Sequence, residues 1–420
     1  MKKTAAFWTI LVLLLLFLSR PWVSPGNEKS PLLQNILKSS IFKRISSFIE
    51  NKKEEIIKEW VFLTEIPAPS GFEEKRALYL ESQFKSLGLN SVQRDESGNV
   101  IGIWPGDGSG KKIILAAHLD TVFKDLWEIK VQRRGNSLQA PGIADDTAGV
   151  VNLLWTARVL KEAGFKPRNS YYFMGTVKEE LGCLGMRAFL EKTSEKIDHV
   201  IGLDGSLGDV EYGALGIHGR KIVFTGPGAH TMVSRGVPNP NLAVARAADR
   251  ISKLDIPTRP EDRWTVLNIG RIQGGQVTNA VPQESYLTID LRSLSQEELE
   301  RILKQILEIS ESVAREAGLA VGYEVFENSR AAQIPGARDS FLVRTAVDIL
   351  KALAVKDISL NPAGATDACP GIERGIPSLS VGRTYSRYGH TLQEEAEIDG
   401  IYVALKQVIL LLLCLDGTKP

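Results

Sequence analysis

The chain has 420 residues, more than one compact core usually holds, so two domains are the expectation. Hydrophobic residues make up 43% and charged residues 24%, and 51 Lys+Arg against 50 Asp+Glu leave no basic surplus to hold a nucleic acid. Three cysteines, Cys183, Cys369 and Cys414, are too few and too scattered for a disulfide framework and read as small buried apolar side chains.

The chain opens with Met1-Lys2-Lys3, an apolar run from Ala5 to Leu18, then Arg20 and a Pro/Ser/Gly-rich stretch to Ser30, the pattern of an export signal. As a helix the run spans about 21 Å, against roughly 30 Å of hydrocarbon, which suits a signal peptide better than a spanning helix. Arg20, Pro21 and Trp22 stand where a small-x-small cleavage site belongs, so cleavage and retention as an anchor both stay open. In either case the basic end remains cytoplasmic. The body is then expected at the periplasmic or extracellular face, secreted or anchored by residues 5–18.

After a polar stretch with helical character from Asn35 to Thr64, short β-branched runs alternate with helical patterns, which is α/β grammar. Strands are expected at Ile113–Ala117, Tyr171–Val177, His199–Leu203 and Pro377–Val381. The clearest helix is Thr147–Ala163, with Asp146 or Thr147 to cap it and Gly164 to end it. Between Gly216 and Glu327 the order becomes strand, helix, strand, strand, helix, strand. Arg220–Thr225, Trp264–Arg271, Ser285–Arg292 and Leu319–Phe326 alternate as half-buried strands do, with helices at Asn241–Leu254 and Gln296–Ala317. This reads as an inserted α+β domain. The first grammar resumes at Ser340 and ends in an apolar helix, Ile401–Leu415; Lys406 and Gln407 inside it favour a core helix over a membrane span.

Chemistry gathers where these strands end. Ile113-Ile114-Leu115-Ala116-Ala117 runs straight into His118-Leu119-Asp120, and side chains at i and i+2 of a strand share a face, so His118 and Asp120 can meet. A ligating imidazole needs its second nitrogen held by an acceptor, although His-x-Asp alone is more often a surface turn. Asp145 and Asp146 open a helix, and capping explains one acid but not two. Glu179 and Glu180 leave a buried strand as adjacent like charges, costly unless cations offset them; a solvated turn is the plainer alternative. Asp204 again ends a strand, at the edge of the sheet where α/β proteins gather ligands. His390, in Tyr388-Gly389-His390-Thr391, is one of only five histidines in the chain.

His118, Asp145, Glu180, Asp204 and His390, in this order, resemble the ligand set of the dinuclear zinc exopeptidase family that includes peptidase T, glutamate carboxypeptidase, aminoacylase and succinyl-diaminopimelate desuccinylase. The likeness spans Glu65 to the C-terminus. Zinc aminopeptidases of related groups share the order, but here only 27 positions, 118 to 145, separate the first two ligands, while 186, from 204 to 390, separate the last two. That places an insertion where this family carries its lid or dimerisation domain. The resemblance implies an α/β catalytic domain with a mixed, mainly parallel sheet flanked by helices. With the export pattern and the change of grammar, the chain divides into a signal or anchor at 1–30, catalytic segments at 35–215 and 328–420, and an inserted α+β domain at 216–327.

Carried onto this sequence, the resemblance implies that His118 and Asp204 hold one divalent metal ion, Glu180 and His390 a second, and that Asp145 bridges them through a loop whose Asp145–Asp146 peptide bond is cis. Zinc suits these donors, with cobalt or manganese as other occupants. Water between two such ions loses much of its proton affinity. Glu179 would take its proton and hand it to the leaving amine, and Asp120 would orient His118. His230, in Gly226-Pro227-Gly228-Ala229-His230, matches a lid histidine that stabilises the oxyanion across a homodimer. Asn279 and Arg292 match positions that bind the substrate's carboxylate end, with a strand-end ion pair as the alternative for Arg292. Gly364-Ala365-Thr366-Asp367 resembles a pocket-lining loop.

The expected activity is therefore metal-dependent hydrolysis of a terminal amide bond in short peptides. Pro69-Ser70-Gly71-Phe72-Glu73-Glu74 and Ala144-Asp145-Asp146-Thr147-Ala148-Gly149 most resemble peptidase T, but Thr147 replaces the usual lysine, which leaves the recognised terminus open. Removal of an acyl group from an N-acyl amino acid uses the same chemistry and is the alternative. A membrane-tethered binding protein without catalysis is a remote third, since such descendants lose ligands or the base and none is lost here.

Overall fold

The computed structural model describes residues 30–257 and 264–417; the apolar run 5–18 lies outside them. A first unit comprises the chain up to Ala214 and from Gln333 onward, and a second comprises Leu215–Ala332.

The first unit is built on an eight-stranded sheet. Its centre is four parallel neighbours, Ser170–Thr176, Lys112–His118, His199–Leu203 and Ser378–Val381, with Leu115 opposite Phe173 and Ile201. These strands are buried almost throughout, because a sheet covered on both faces needs apolar residues at every position rather than at alternate ones. An antiparallel pair, Asn90–Arg94 with Val100–Trp104, borders one side, and Asp209–Glu211 with Ser359–Asn361 the other. The sheet is thus mixed, with a parallel centre.

Helix Thr147–Glu162 is buried along most of its length. The Asp146 side chain accepts from Gly149 N at 3.1 Å, which settles the cap on Asp146, and Gly164 follows the helix at φ +71°. Helix Ile398–Asp416 is largely apolar and long enough to cross a bilayer, yet 78% of its most apolar window is buried within the unit, against helices Thr147–Glu162 and Phe341–Ala352. The stretch ahead of Thr64 forms three helices, Pro31–Lys38, Ser40–Asn51 and Lys53–Thr64, which send Ile36, Ile45, Ile49 and Trp60 into the same core. All three cysteines are free and buried.

The second unit is a four-stranded antiparallel sheet in the order Thr265–Gly274, Glu284–Ser293, Gly216–Thr225, Ala320–Ser329, packed with helices Pro240–Ile251 and Gln296–Ala317. Its separate core includes Ile222, Phe224, Leu287, Ile289, Val244 and Ile302. Alternating burial holds for the inner strand Glu284–Ser293, but the edge strand Ala320–Ser329 is mostly exposed, Val325 and Phe326 included. An edge strand has a neighbour on one side only, so a half-buried alternation read from sequence overstates its burial.

Candidate metal centre

Every central parallel strand delivers polar residues beyond its carboxyl end. His118 closes Lys112–His118, and its buried imidazole stands with Nδ1 3.4 Å from Asp120 Oδ1 and Nε2 2.9 Å from Asp145 Oδ1. Asp120 does more than face the ring: Oδ1 accepts from Glu179 N (3.0 Å) and Oδ2 from Glu180 N (3.2 Å) and from Ser70 Oγ (2.7 Å). One buried carboxylate thus ties the imidazole to the turn that carries both glutamates. Sequence reading had singled out neither Ser70 nor Glu73 for this; Glu73 Oε1 accepts from Gly71 N and Lys178 N and joins the same loops.

The Glu179–Leu181 segment is a single 3₁₀ turn set between Lys178 (φ +54°) and Gly182 (φ +93°). Those left-handed residues turn the chain sharply off strand Ser170–Thr176, so both glutamates face the sheet end. Glu179 Oε2 lies 4.0 Å from His118 Nε2, and Glu180 Oε1 lies 3.4 Å from His390 Nε2.

Asp145 is the centre of the arrangement. Its Oδ1 faces His118, and its Oδ2 lies 3.0 Å from His390 Nε2, so one carboxylate offers an oxygen to each of two imidazoles. The Asp145–Asp146 peptide is cis. Asp146 is fully buried; besides capping its helix it accepts from His118 N at 2.9 Å. Asp204 ends strand His199–Leu203, with its N–H on Val381 O, and contacts the Arg383 guanidinium.

Electrostatics make this a cluster short of positive charge. Burial, reinforced by Asp367, Glu180 and Asp120 and opposed by His118, holds the Glu179 carboxyl well above its ordinary range. Burial also lifts Asp146 to about 7 and Asp367 to about 6. Burial opposes ionisation of Asp145 as well, but Arg383, His118 and His390 outweigh it and keep that carboxyl well below its usual range. The carboxylates of Asp145 and Glu180 beside its ring raise His390 to about 10. Such a cluster keeps protons that bound cations would displace.

The residues fit metal binding, with His118 common to both candidate donor groups. Donor atoms of His118, Asp145 and Glu180, and likewise of His118, Glu179 and Asp204, lie within 4.8 Å of one another. Glu180 Oε1 is buried without a hydrogen-bond donor, and imidazole with carboxylate is a donor set that transition metals favour. Glu179 therefore stands at ligating distance too, not only beside the ligands.

Arg383 and Glu394, both buried, are the residues that sequence reading missed. Each sits in a polar loop indistinguishable from surface by composition, and nearness to His390 is the one signal Glu394 carried. Asp367 is buried beside Thr176, its Oδ2 on the hydroxyl and its Oδ1 without a partner.

His230, Asn279 and Arg292 belong to the second unit. His230 and Asn279 lie on one short ribbon, Ala229–His230 paired with Ala280–Val281, where Thr231 N donates to Asn279 O; both residues are exposed. The Arg292 guanidinium is held by Asp290 at 3.0 Å, so the strand-end ion pair is formed.

A sequence model of Peptidase family M20/M25/M40 matches residues 114–413. Carboxypeptidase G2 of Pseudomonas sp. (strain RS-16) is 26% identical over 361 residues, covering 81% of this chain and 84% of the relative. Aminopeptidase PepT from Bacillus cereus superposes with a TM-score of 0.72 at 24% identity, and a Staphylococcus aureus tripeptidase with 0.74 at 23%; each comparison covers 87% of this chain and 99% of the other, and at that identity shows the fold. With the family match running from the His118 strand through His390 to the last helix, the chain belongs to peptidase family M20/M25/M40 and is a metal-dependent peptidase or amidohydrolase.

Proposed function

We propose that this protein is an exported exopeptidase that hydrolyses the terminal amide bond of short peptides. The observation that carries the reading is the Asp145 carboxylate between His118 and His390, one oxygen toward each imidazole. In this reading His118 and Asp204 would hold one divalent ion, Glu180 and His390 the other, and Asp145 would serve both. Two such ions, zinc first and cobalt or manganese as alternatives, would supply Lewis acidity toward the scissile carbonyl and lower the proton affinity of the attacking water.

Glu179 would take the proton from the attacking water and return it to the leaving amine. Asp120 fixes the His118 ring and, through the backbone of residues 179 and 180, the position of the base. His230, Asn279 and Arg292 are the proposed substrate-binding residues, and the inserted unit is the proposed homodimer surface. Residues 5–18 direct the chain across the membrane and either leave as a signal or stay as a tether.

Relatives named for opposite ends of a peptide, carboxypeptidase G2 and aminopeptidase PepT, make the terminus the property to measure. Digestion of a dipeptide and tripeptide library, with N-blocked and C-blocked copies and a set of N-acyl amino acids, tests the reading. Release of single residues from free peptides supports it; cleavage confined to N-acyl amino acids replaces it with the deacylase reading, and no hydrolysis with zinc added removes it.

A further inference from the structure

Backbone groups of the turn Gly142–Asp145 are gripped by two buried, charged side chains from the segment that also carries His390. Glu394, four residues after His390, receives three N–H groups on one carboxylate: Gly142 N on Oε2 at 3.0 Å, and Ala144 N and Asp145 N on Oε1, each at 2.8 Å. Its own backbone joins the same regions, with Ala140 N donating to Glu394 O and Glu394 N to Thr391 O. From the opposite side Arg383 Nε donates to Ala144 O at 2.6 Å, while Nη2 lies 3.1 Å from Asp145 Oδ1 and Nε 3.2 Å from Asp146 Oδ1. Both peptide groups of Ala144 are thus held by side chains, one acidic and one basic.

A charge taken out of water is costly unless hydrogen bonds replace its solvation, and Glu394 has been given three of them from a turn that lies in no helix or strand. We propose that Glu394 is a positioning residue of the metal centre: it locks the Asp145 turn to the His390 loop and so sets the spacing of the two metal sites, with Arg383 bracing the turn from its carbonyl side. The inference rests on the two-metal reading above. An Asp145 that faces two imidazoles with one oxygen each tolerates little drift, since a ligand held about 1 Å too loosely no longer serves both positions. A strand or helix cannot supply that rigidity here, because the turn lies between elements and its N–H groups have no ladder to join.

The geometry orders the substitutions. In Glu394→Gln the oxygen still accepts from Ala144 and Asp145, but the amide nitrogen meets the Gly142 N–H donor to donor; in Glu394→Ala all three bonds are lost. The purified full chain, stripped of metal, is titrated with Zn²⁺ against a chromophoric chelator, its Co²⁺ absorption spectrum is recorded, and its metal-free melting is followed by circular dichroism. Loss of about 10- to 100-fold in zinc affinity is expected for Glu394→Ala, with Glu394→Gln between it and wild type and an altered cobalt spectrum. A role confined to folding would lower metal-free melting and leave the zinc affinity and cobalt spectrum of the folded variants unchanged, and that result overturns the proposal. Should Glu394→Ala fail to fold, wild-type affinity and spectrum in Glu394→Gln overturn it alone. A wild-type chain that binds no zinc overturns the two-metal reading and this inference together.

Discussion

Adjacent glutamates with opposite tasks are the sharpest expectation at the scale of single residues. Glu179 and Glu180 share a turn, yet Glu180 Oε1 is buried without a donor while Glu179 is surrounded by Asp120, Asp367 and His118. If Glu179 works as the base rather than as a ligand, Glu179→Gln keeps the metal content and loses turnover by about 10²- to 10⁴-fold. Metal analysis beside kcat checks this; loss of one metal equivalent would make Glu179 a ligand instead. Trp60 offers a test of support from outside the site. Its fully buried indole donates to Ile143 O at 2.7 Å, just ahead of the Asp145 turn. Trp60→Ala should cost about 3–5 kcal/mol in urea unfolding, and a loss below about 1 kcal/mol would show that the core closes over the gap. His118, Asp145 and Glu180 were legible in the chain because residue type and order carry the chemistry. Arg383 was not, because an arginine between Gly382 and Thr384 reads as a surface loop until the fold shows what encloses it.

Strand ends explain the site at the scale of elements, since each parallel strand is apolar until the sheet stops and polar where it opens. The central strands were readable because a strand buried on both faces is a nearly unbroken apolar run, and helix Thr147–Glu162 because its apolar residues recur at helical spacing between a capping acid and Gly164. Edge strand Ala320–Ser329 was readable as a strand but not in its exposure, because its place at the sheet edge, with a neighbour on one side only, is set by topology. On strand Gly216–Thr225, His218 is buried with Nδ1 unpartnered, and burial, with the Arg220 charge, lowers its pKa to about 4. The unfolded chain takes up a proton near pH 6.5 while the folded chain resists until about 4. Between those values the unfolded state binds more protons, so stability falls as pH falls. Urea midpoints measured at pH 7 and pH 5 should therefore drop less in His218→Gln than in wild type; equal drops would mean that His218 is solvated.

Ligand binding at the scale of the whole molecule should be visible as stability. Only the folded chain brings residues 118, 145, 180, 204 and 390 together, so metal binds the native state in preference to the unfolded one. Zinc at 100 times its dissociation constant should add about 2.7 kcal/mol, and a chelator should remove it. Superimposable melting curves with zinc and with chelator would count against the centre. By itself the sequence indicated the central parallel strands, the inserted unit's elements and the candidate ligands, but not the bordering strands Asn90–Arg94, Val100–Trp104, Asp209–Glu211 and Ser359–Asn361. Periodicity records which faces are buried, and the ordered spacing of His118, Asp145, Glu180, Asp204 and His390 survives in one dimension. Only the tertiary structure decided that Asp145 stands between two imidazoles, that Asp146 is a cap, and that Arg383 and Glu394 hold the turn between them. Those facts depend on burial and distance between residues up to about 250 positions apart, and a charged side chain reveals its partners only when the fold removes the water around it.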